Sequence, residues 1–254
     1  MLDDVQKEEL NRLNQEIVEL EKRLGGLYWV RKEKYGVVPV EVAPWLDAEL
    51  LVRARLLWHR DQIFCNVPKK SKIAEVGILK GDFSRIIFEK AKPHELHLID
   101  NDFSHFDPGF LLDEIDKRVF IHNGDSSTVM QEIFGDNFFD VIYIDADHSY
   151  DGVSKDIRAA QRKIKPGGLL AFNDYMNWSP LESREYGVMR AVNELIVSAI
   201  WPVVFFAFHN LGYHDIVVQR PPAEKPWTRI FQACRSYWTG SQKSGRKSDL
   251  TSGF

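Results

Sequence analysis

Three groups able to hold or move protons stand within four residues of "YIDADHSY" (143–150): Asp145, Asp147 and His148. They follow the apolar run "FFDVI", so a buried strand leads straight into two carboxylates and an imidazole. Such groups are costly to bury unpaired, so this strand must end where they meet a ligand, a counter-charge or water. An imidazole titrates near neutrality and can take the proton of a hydroxyl. A second run, "LLAFND" (169–174), ends in Asn173 and Asp174. A structural role stands beside the chemical one. Asp147, His148 and Ser149 precede the helical pattern "YDGVSKDIRAAQRKI" and can cap it. For Asp147, capping or a place at the edge of a cofactor is the stronger reading; His148 divides evenly between base and loop residue.

The elements that position these groups follow from hydrophobic periodicity. From Lys72 onward, short β-rich runs alternate with helical patterns: "KIAEVG", "ELHLID", "RVFIHNGD", "FFDVIYIDA" and "LLAFND" are strands with helical segments between them. Strands separated by helices are parallel βαβ units. The last two, "VVFFAFHN" and "YHDIVVQR", are separated only by Leu211-Gly212, too short for a crossover, so they form an antiparallel hairpin. The fold class is therefore α/β, a doubly wound seven-stranded sheet with one reversed strand.

Four segments are expected. In residues 1–26, Leu10, Leu13, Ile17, Leu20 and Leu24 recur at 3-4-3-4 spacing, an apolar stripe on a helix over 2–24 that Gly25-Gly26 would cap. That helix either packs on its own domain or pairs with a second copy in a homodimer. Residues 27–69 form a helical cap with a second amphipathic helix over 47–64. Residues 70–220 hold the sheet. Residues 221–254 are a basic tail; Trp227, Phe231, Tyr237 and Trp238 suit its first half to docking, and its last dozen residues read as disordered.

The 254 residues are 44% hydrophobic, enough for a substantial core, and the net charge of −4 argues against a dedicated nucleic-acid binder. Cys65 and Cys234 lie far apart, in no metal-like spacing, and suit a reduced, cytoplasmic compartment. The acidic start "MLDDVQKEEL" is unlike a signal peptide, and no apolar run is long enough to span a membrane.

In a doubly wound sheet, ligands bind at the carboxyl ends of the strands. "EVGILKG" follows the first strand, and Gly77 and Gly81 let the backbone approach a bound molecule. The spacing is neither the dinucleotide G-x-G-x-x-G nor a P-loop. Glu75 would repel a pyrophosphate and attract an ammonium or sulfonium group. Asp100, at the end of the second strand, suits ribose hydroxyls. Asp125 and Ser126, after the third, suit an adenine amino group or a helix cap.

Together, Glu75-x-Gly77-x-x-x-Gly81, Asp100, Gly124-Asp125-Ser126, Asp145-Ala-Asp-His148-Ser-Tyr150 and Lys165-Pro-Gly-Gly168 resemble class I S-adenosylmethionine-dependent methyltransferases, and within them the small-molecule and sugar O-methyltransferase branch. The resemblance covers about residues 70–220. It implies the strand order 3-2-1-4-5-7-6 with the seventh antiparallel. It implies that Glu75, Gly77 and Gly81 border the methionine part of the cofactor, that Asp100 holds the ribose, and that Asp125 with Ser126 contacts adenine. The family pattern has a further glycine where Ile78-Leu79-Lys80 stands here.

The same strand order sets the ends of the fourth and fifth strands side by side, so Asp145, Asn173 and Asp174 become a candidate ligand set for Mg²⁺, Mn²⁺ or Ca²⁺, hard cations that take oxygen ligands. A metal there would acidify and orient an acceptor hydroxyl, with His148 as base; Asp145 is either a metal ligand or a reaction-centre acid. The leading function is O-methylation of a hydroxylated small molecule, a sugar or glycosylated metabolite. Its close alternative is the same transfer without metal. A nicotinamide-dependent oxidoreductase and a non-catalytic interaction module are the readings from other classes. The acceptor is expected against 47–64, the segment 175–187 and the loop beyond His148, where Tyr175 and Trp178 stack on a ring or simply pack.

Overall fold

The computed structural model describes residues 2–36 and 42–223. An N-terminal helix α1 (Asp4–Tyr35) and a short α2 (Ala48–Leu51) precede β1 (Arg55–Leu57) and α3 (Gln62–Cys65). The alternating part then runs β2 (Lys72–Val76), α4 (Asp82–Ala91), β3 (Glu95–Asp100), a 3-10 turn (Gly109–Glu114), β4 (Val119–Asn123), α5 (Ser126–Ile133), β5 (Phe139–Ile144), α6 (Tyr150–Lys163) and β6 (Ile164–Phe172). A two-residue hairpin β7 (Trp178–Ser179) and β8 (Arg184–Glu185), α7 (Val188–Ala199), β9 (Val203–Phe208) and β10 (His214–Gln219) complete the described chain.

The main sheet has the order β1-β9-β10-β6-β5-β2-β3-β4. β2 through β6 are mutually parallel where they pair, and β10 is antiparallel to both β6 and β9. Counted from β2, this is the expected 3-2-1-4-5-7-6, with one strand added. That eighth strand, β1, pairs in parallel with the edge of β9. It corrects the sequence reading of 47–64 as one helix: the segment splits into α2, β1 and α3. The apolar period there is compatible with a helix, but β9 otherwise presents an unpaired edge, and backbone hydrogen bonding to it wins.

Period-two alternation sends strand side chains to two cores. Ala74, Val76, Ile142, Ile144, Leu170 and Phe172 pack against α5, α6 and α7. Ile73, Val141, Tyr143, Leu169 and Ala171 pack against α3 and α4. Glu75 and Asp215 alternate with apolar neighbours onto this second face, which places two acids inside it.

Helix α1 also departs from expectation. It passes through Gly25 and Gly26 and ends at Gly36, whose left-handed backbone (φ 67°) donates its N–H to the Lys32 carbonyl. Each interior glycine costs only about 1 kcal/mol relative to alanine. A capping box between Asp3 and Gln6 starts the helix, and Tyr28 and Arg31 anchor its far end on the β7–β8 hairpin. The expected tail lies, from residue 224, outside the described residues. Among those described, no helix is long and apolar enough to cross a membrane.

Candidate active site

The turn after β2 is held by its neighbours. The Gly77 N–H donates to the Ile99 carbonyl, and the Asp145 N–H to the Val76 carbonyl at 2.7 Å. Gly77 (φ 87°) lies so close to β5 that a Cβ would meet the Asp145 carbonyl oxygen at 1.9 Å. Only glycine fits. Gly81, also at φ 87°, ends the turn against the Phe106 ring. The Asn173 N–H in turn donates to the Ile144 carbonyl, so the ends of β2, β5 and β6 are tied in one row.

Beside that row opens a cleft of about 790 Å³, within the range of small-molecule sites. Glu75, Gly77, Asp100, Asp125, Ser126, Asp145 and His148 all line it. Glu75 is 1% exposed and its Oε2 has no hydrogen-bond partner. Burial pushes its carboxyl up to about 8, against the opposing influence of the Ser84 hydroxyl and the Arg60 guanidinium. An orphaned buried carboxyl on a cleft wall, beside a turn with no side chain, fits a ligand that brings an ammonium or sulfonium.

Asp100 spends its oxygens on the loop itself. Oδ2 accepts the Ile78 N–H at 2.6 Å, and Oδ1 the Asp102 N–H. Asp125 caps α5, accepting from the Thr128 N–H, the Ser127 hydroxyl and Lys155 Nζ at 2.6 Å. The Lys155 ammonium and these hydroxyl and amide donors hold its carboxyl well below the usual carboxylate range. Ser126 donates to Asp156, a buried carboxyl on α6. The capping role weighed for Asp125 is thus realised. Asp147 likewise accepts from the Ser149 N–H and hydroxyl, while Ser149 caps α6.

His148 sits where the acidic strand ends converge. Its Nε2 lies 3.7 Å from Asp145 Oδ1, 3.6 Å from Asp174 Oδ2 and 3.4 Å from Asn173 Oδ1. Its ring stacks on Tyr186 at 4.6 Å, and the Gly187 N–H donates to its carbonyl. The three members of the proposed metal set do come together, but around this imidazole. Asn173 also gives its amide N–H to Asp215. Among the described residues no three His, Cys, Asp or Glu side chains are arranged to hold a metal ion. Each member of the set places an oxygen 3.4–3.7 Å from His148 Nε2.

Two residues of this centre escaped the sequence reading. Arg60, from the loop between β1 and α3, reaches 3.6 Å from Asp145 Oδ2 and 3.4 Å from the Tyr143 hydroxyl, with its guanidinium over the Phe83 ring. Asp215, fully buried on β10, accepts from the Tyr143 hydroxyl at 2.8 Å. Burial pushes Asp215 and Asp145 each up to about 7, with Arg60 opposing both. About a quarter of the Asp145 side chain still reaches the cleft, so it remains available to a ligand. Asp174 rises to about 6 through burial, opposed by His148 and reinforced by Asp145. Burial works against the charge of Arg60, but Tyr143, Asp215 and Asp145 outweigh it and raise its pKa. Such perturbed groups gather at functional sites more than elsewhere.

The aromatic side chains considered for the acceptor pack instead. Tyr175 is buried and donates its hydroxyl to Asn193, and Trp178 meets Tyr28 edge-on. Near His148 the cleft wall is polar, formed by Arg60, Glu182 and Arg184.

Comparison with known proteins adds a likeness. Residues 74–175 match the family model described as a methyltransferase domain. An uncharacterised protein of Acanthamoeba polyphaga mimivirus is 36% identical over 62 residues, 24% of this chain; the chain spans a quarter of that relative's length. A methyltransferase structure from Methanosarcina mazei is similar over 66% of this chain and 100% of its own, at 13% identity and a TM-score of 0.49. One from Aquifex aeolicus covers 64% and 90%, at 12% identity and a TM-score of 0.47. The matched segment is similar to a methyltransferase domain, and the strand order and glycine turn around it are those expected from the class I, S-adenosylmethionine-dependent resemblance.

Proposed function

We propose that this protein transfers a methyl group from S-adenosylmethionine to a hydroxyl oxygen of a polar small molecule, a sugar or glycosylated metabolite being the class that suits the wall of charged side chains. One observation carries the reading: the His148 imidazole stands at the cleft, between Asp145 and Asp174, at the end of the row that begins with Gly77. The sulfonium supplies an activated methyl carbon. The chain's own residues do the rest. His148 takes the hydroxyl proton as the new C–O bond forms and the C–S bond breaks, and S-adenosylhomocysteine leaves. Asp174 and Asp145 stabilise the imidazolium, and Tyr186 holds the ring in plane. Glu75 and the Gly77 turn receive the ammonium end of the co-substrate.

The test is a screen of hydroxylated compounds for S-adenosylhomocysteine release. With an acceptor in hand, His148→Ala is expected to lower kcat by about 10²–10⁴ while S-adenosylhomocysteine affinity is unchanged. A variant as fast as the parent removes His148 from the reaction. Turnover is expected to survive stringent chelation. Loss of turnover that Mg²⁺ restores would bring back the metal-assisted route.

A further inference from the structure

Helix α1 buries none of its 32 residues. Leu24, Tyr28 and Arg31 alone are half-buried, and of these Tyr28 and Arg31 meet the β7–β8 hairpin. At 1.5 Å per residue the helix is roughly 48 Å long, so most of it stands free of the sheet domain. Leu10, Leu13, Ile17, Leu20 and Leu27 are 44–59% exposed. With Leu24 they continue one seam at 3-4-3-4-3 spacing, the pattern of a two-stranded coiled coil. Gly25 and Gly26 lie off this seam, and a Cβ at either would meet nothing within 4 Å.

We propose that the seam is covered by α1 of a second copy, running antiparallel. Leu10, Ile17 and Leu24 occupy one core position of the heptad, and Leu13, Leu20 and Leu27 the other. Glu9, Glu16 and Arg23 then flank the seam on one side, and Asn14, Glu21 and Tyr28 on the other. A parallel pair sets each residue of the first flank against the second flank of its neighbour, so Glu16 meets Glu21 and like charges face each other at both symmetry-related places. An antiparallel pair sets like flanks together. Leu10 then packs on the partner's Leu27, Leu13 on the partner's Leu24 and Ile17 on the partner's Leu20, which fills every core layer. In the same register Glu16 faces the partner's Arg23, again at both places. Charge complementarity therefore selects the antiparallel dimer.

The full chain is expected to scatter light with twice its 29.4 kDa mass at tens of micromolar; a monomer across that range overturns the proposal. Ile17→Asp should give a monomer with the thermal transition of the sheet domain unchanged. Glu16→Arg should weaken the dimer by roughly five- to tenfold, and Glu16→Arg with Arg23→Glu should restore it. In a parallel pair Glu16→Arg would instead tighten the dimer, and that result overturns the orientation. In a background of Cys65→Ser and Cys234→Ser, mixed Leu10→Cys and Leu27→Cys chains should form a heterodisulfide. A disulfide formed by Leu10→Cys alone would show parallel helices.

Discussion

Gly77 and Asp145 share a space that admits no side chain: a Cβ on the glycine would lie 1.9 Å from the Asp145 carbonyl oxygen. The turn proposed to border the co-substrate and the strand that ends in Asp145 are therefore fixed against each other.

Gly77→Ala must push β2 and β5 apart and also force an L side chain to φ 87°. It is expected to lower stability by at least ~2 kcal/mol and to abolish S-adenosylhomocysteine binding. Urea unfolding and calorimetric titration read the two effects. Binding at parental affinity would show that the turn does not border the ligand.

Arg60→Met leaves Asp145 and Asp215 without their counter-charge while keeping most of the contact with Phe83. Removing one partner from such a network is expected to cost about 3 kcal/mol at pH 8. The deficit should shrink toward pH 5, where both carboxyls are protonated in the fold. A deficit independent of pH would mean that packing, not charge, is Arg60's contribution.

Glu75 makes stability fall as pH rises. Its carboxyl ionises near 4.5 when unfolded and near 8 when folded, so between those values the folded chain holds a proton that the unfolded chain has lost. The stabilisation is complete below about 4.5 and is lost progressively up to about 8. Melting temperatures of the parent should drop across this window more steeply than those of Glu75→Gln. Equal slopes would place Glu75 in a wetter setting than its 1% exposure indicates.

Asp125→Ala removes the cap of α5 and the partner of Lys155. About 1 kcal/mol of stability should go with the cap. Because its oxygens already serve Thr128, Ser127 and Lys155, S-adenosylhomocysteine affinity should fall by less than about fivefold, under 1 kcal/mol. A fall of a hundredfold would restore a direct adenine contact.

The sheet was legible because periodicity and connection length are local. The strand runs, the helices between them and the short final link sufficed for the order of seven strands. The eighth, β1, was hidden because its three residues are strand only by virtue of the β9 edge beside them. The strand-end groups Glu75, Asp100, Asp125, Asp145 and His148 were legible for the same local reason. Arg60 was not: its contact with Tyr143 spans 83 residues, and "WHRDQ" carries no mark of it. Asp215 did leave a signal, a lone acid within the apolar strand "HDIVVQ", which a buried central strand tolerates only with partners such as Tyr143 and Asn173. The metal set followed from placing the right strand ends together; that His148 Nε2 would lie within 3.7 Å of an oxygen of each was not legible from the spacing.

Arg60 comes from outside residues 74–175, the part matched by the family model. The matched segment is thus not an interchangeable part. The loop that sits over the cleft also supplies the charge that lets three buried acids coexist beneath it. Any exchange of this N-terminal region, by evolution or by grafting, must import a cation at the same spot or rework Asp145 and Asp215 together.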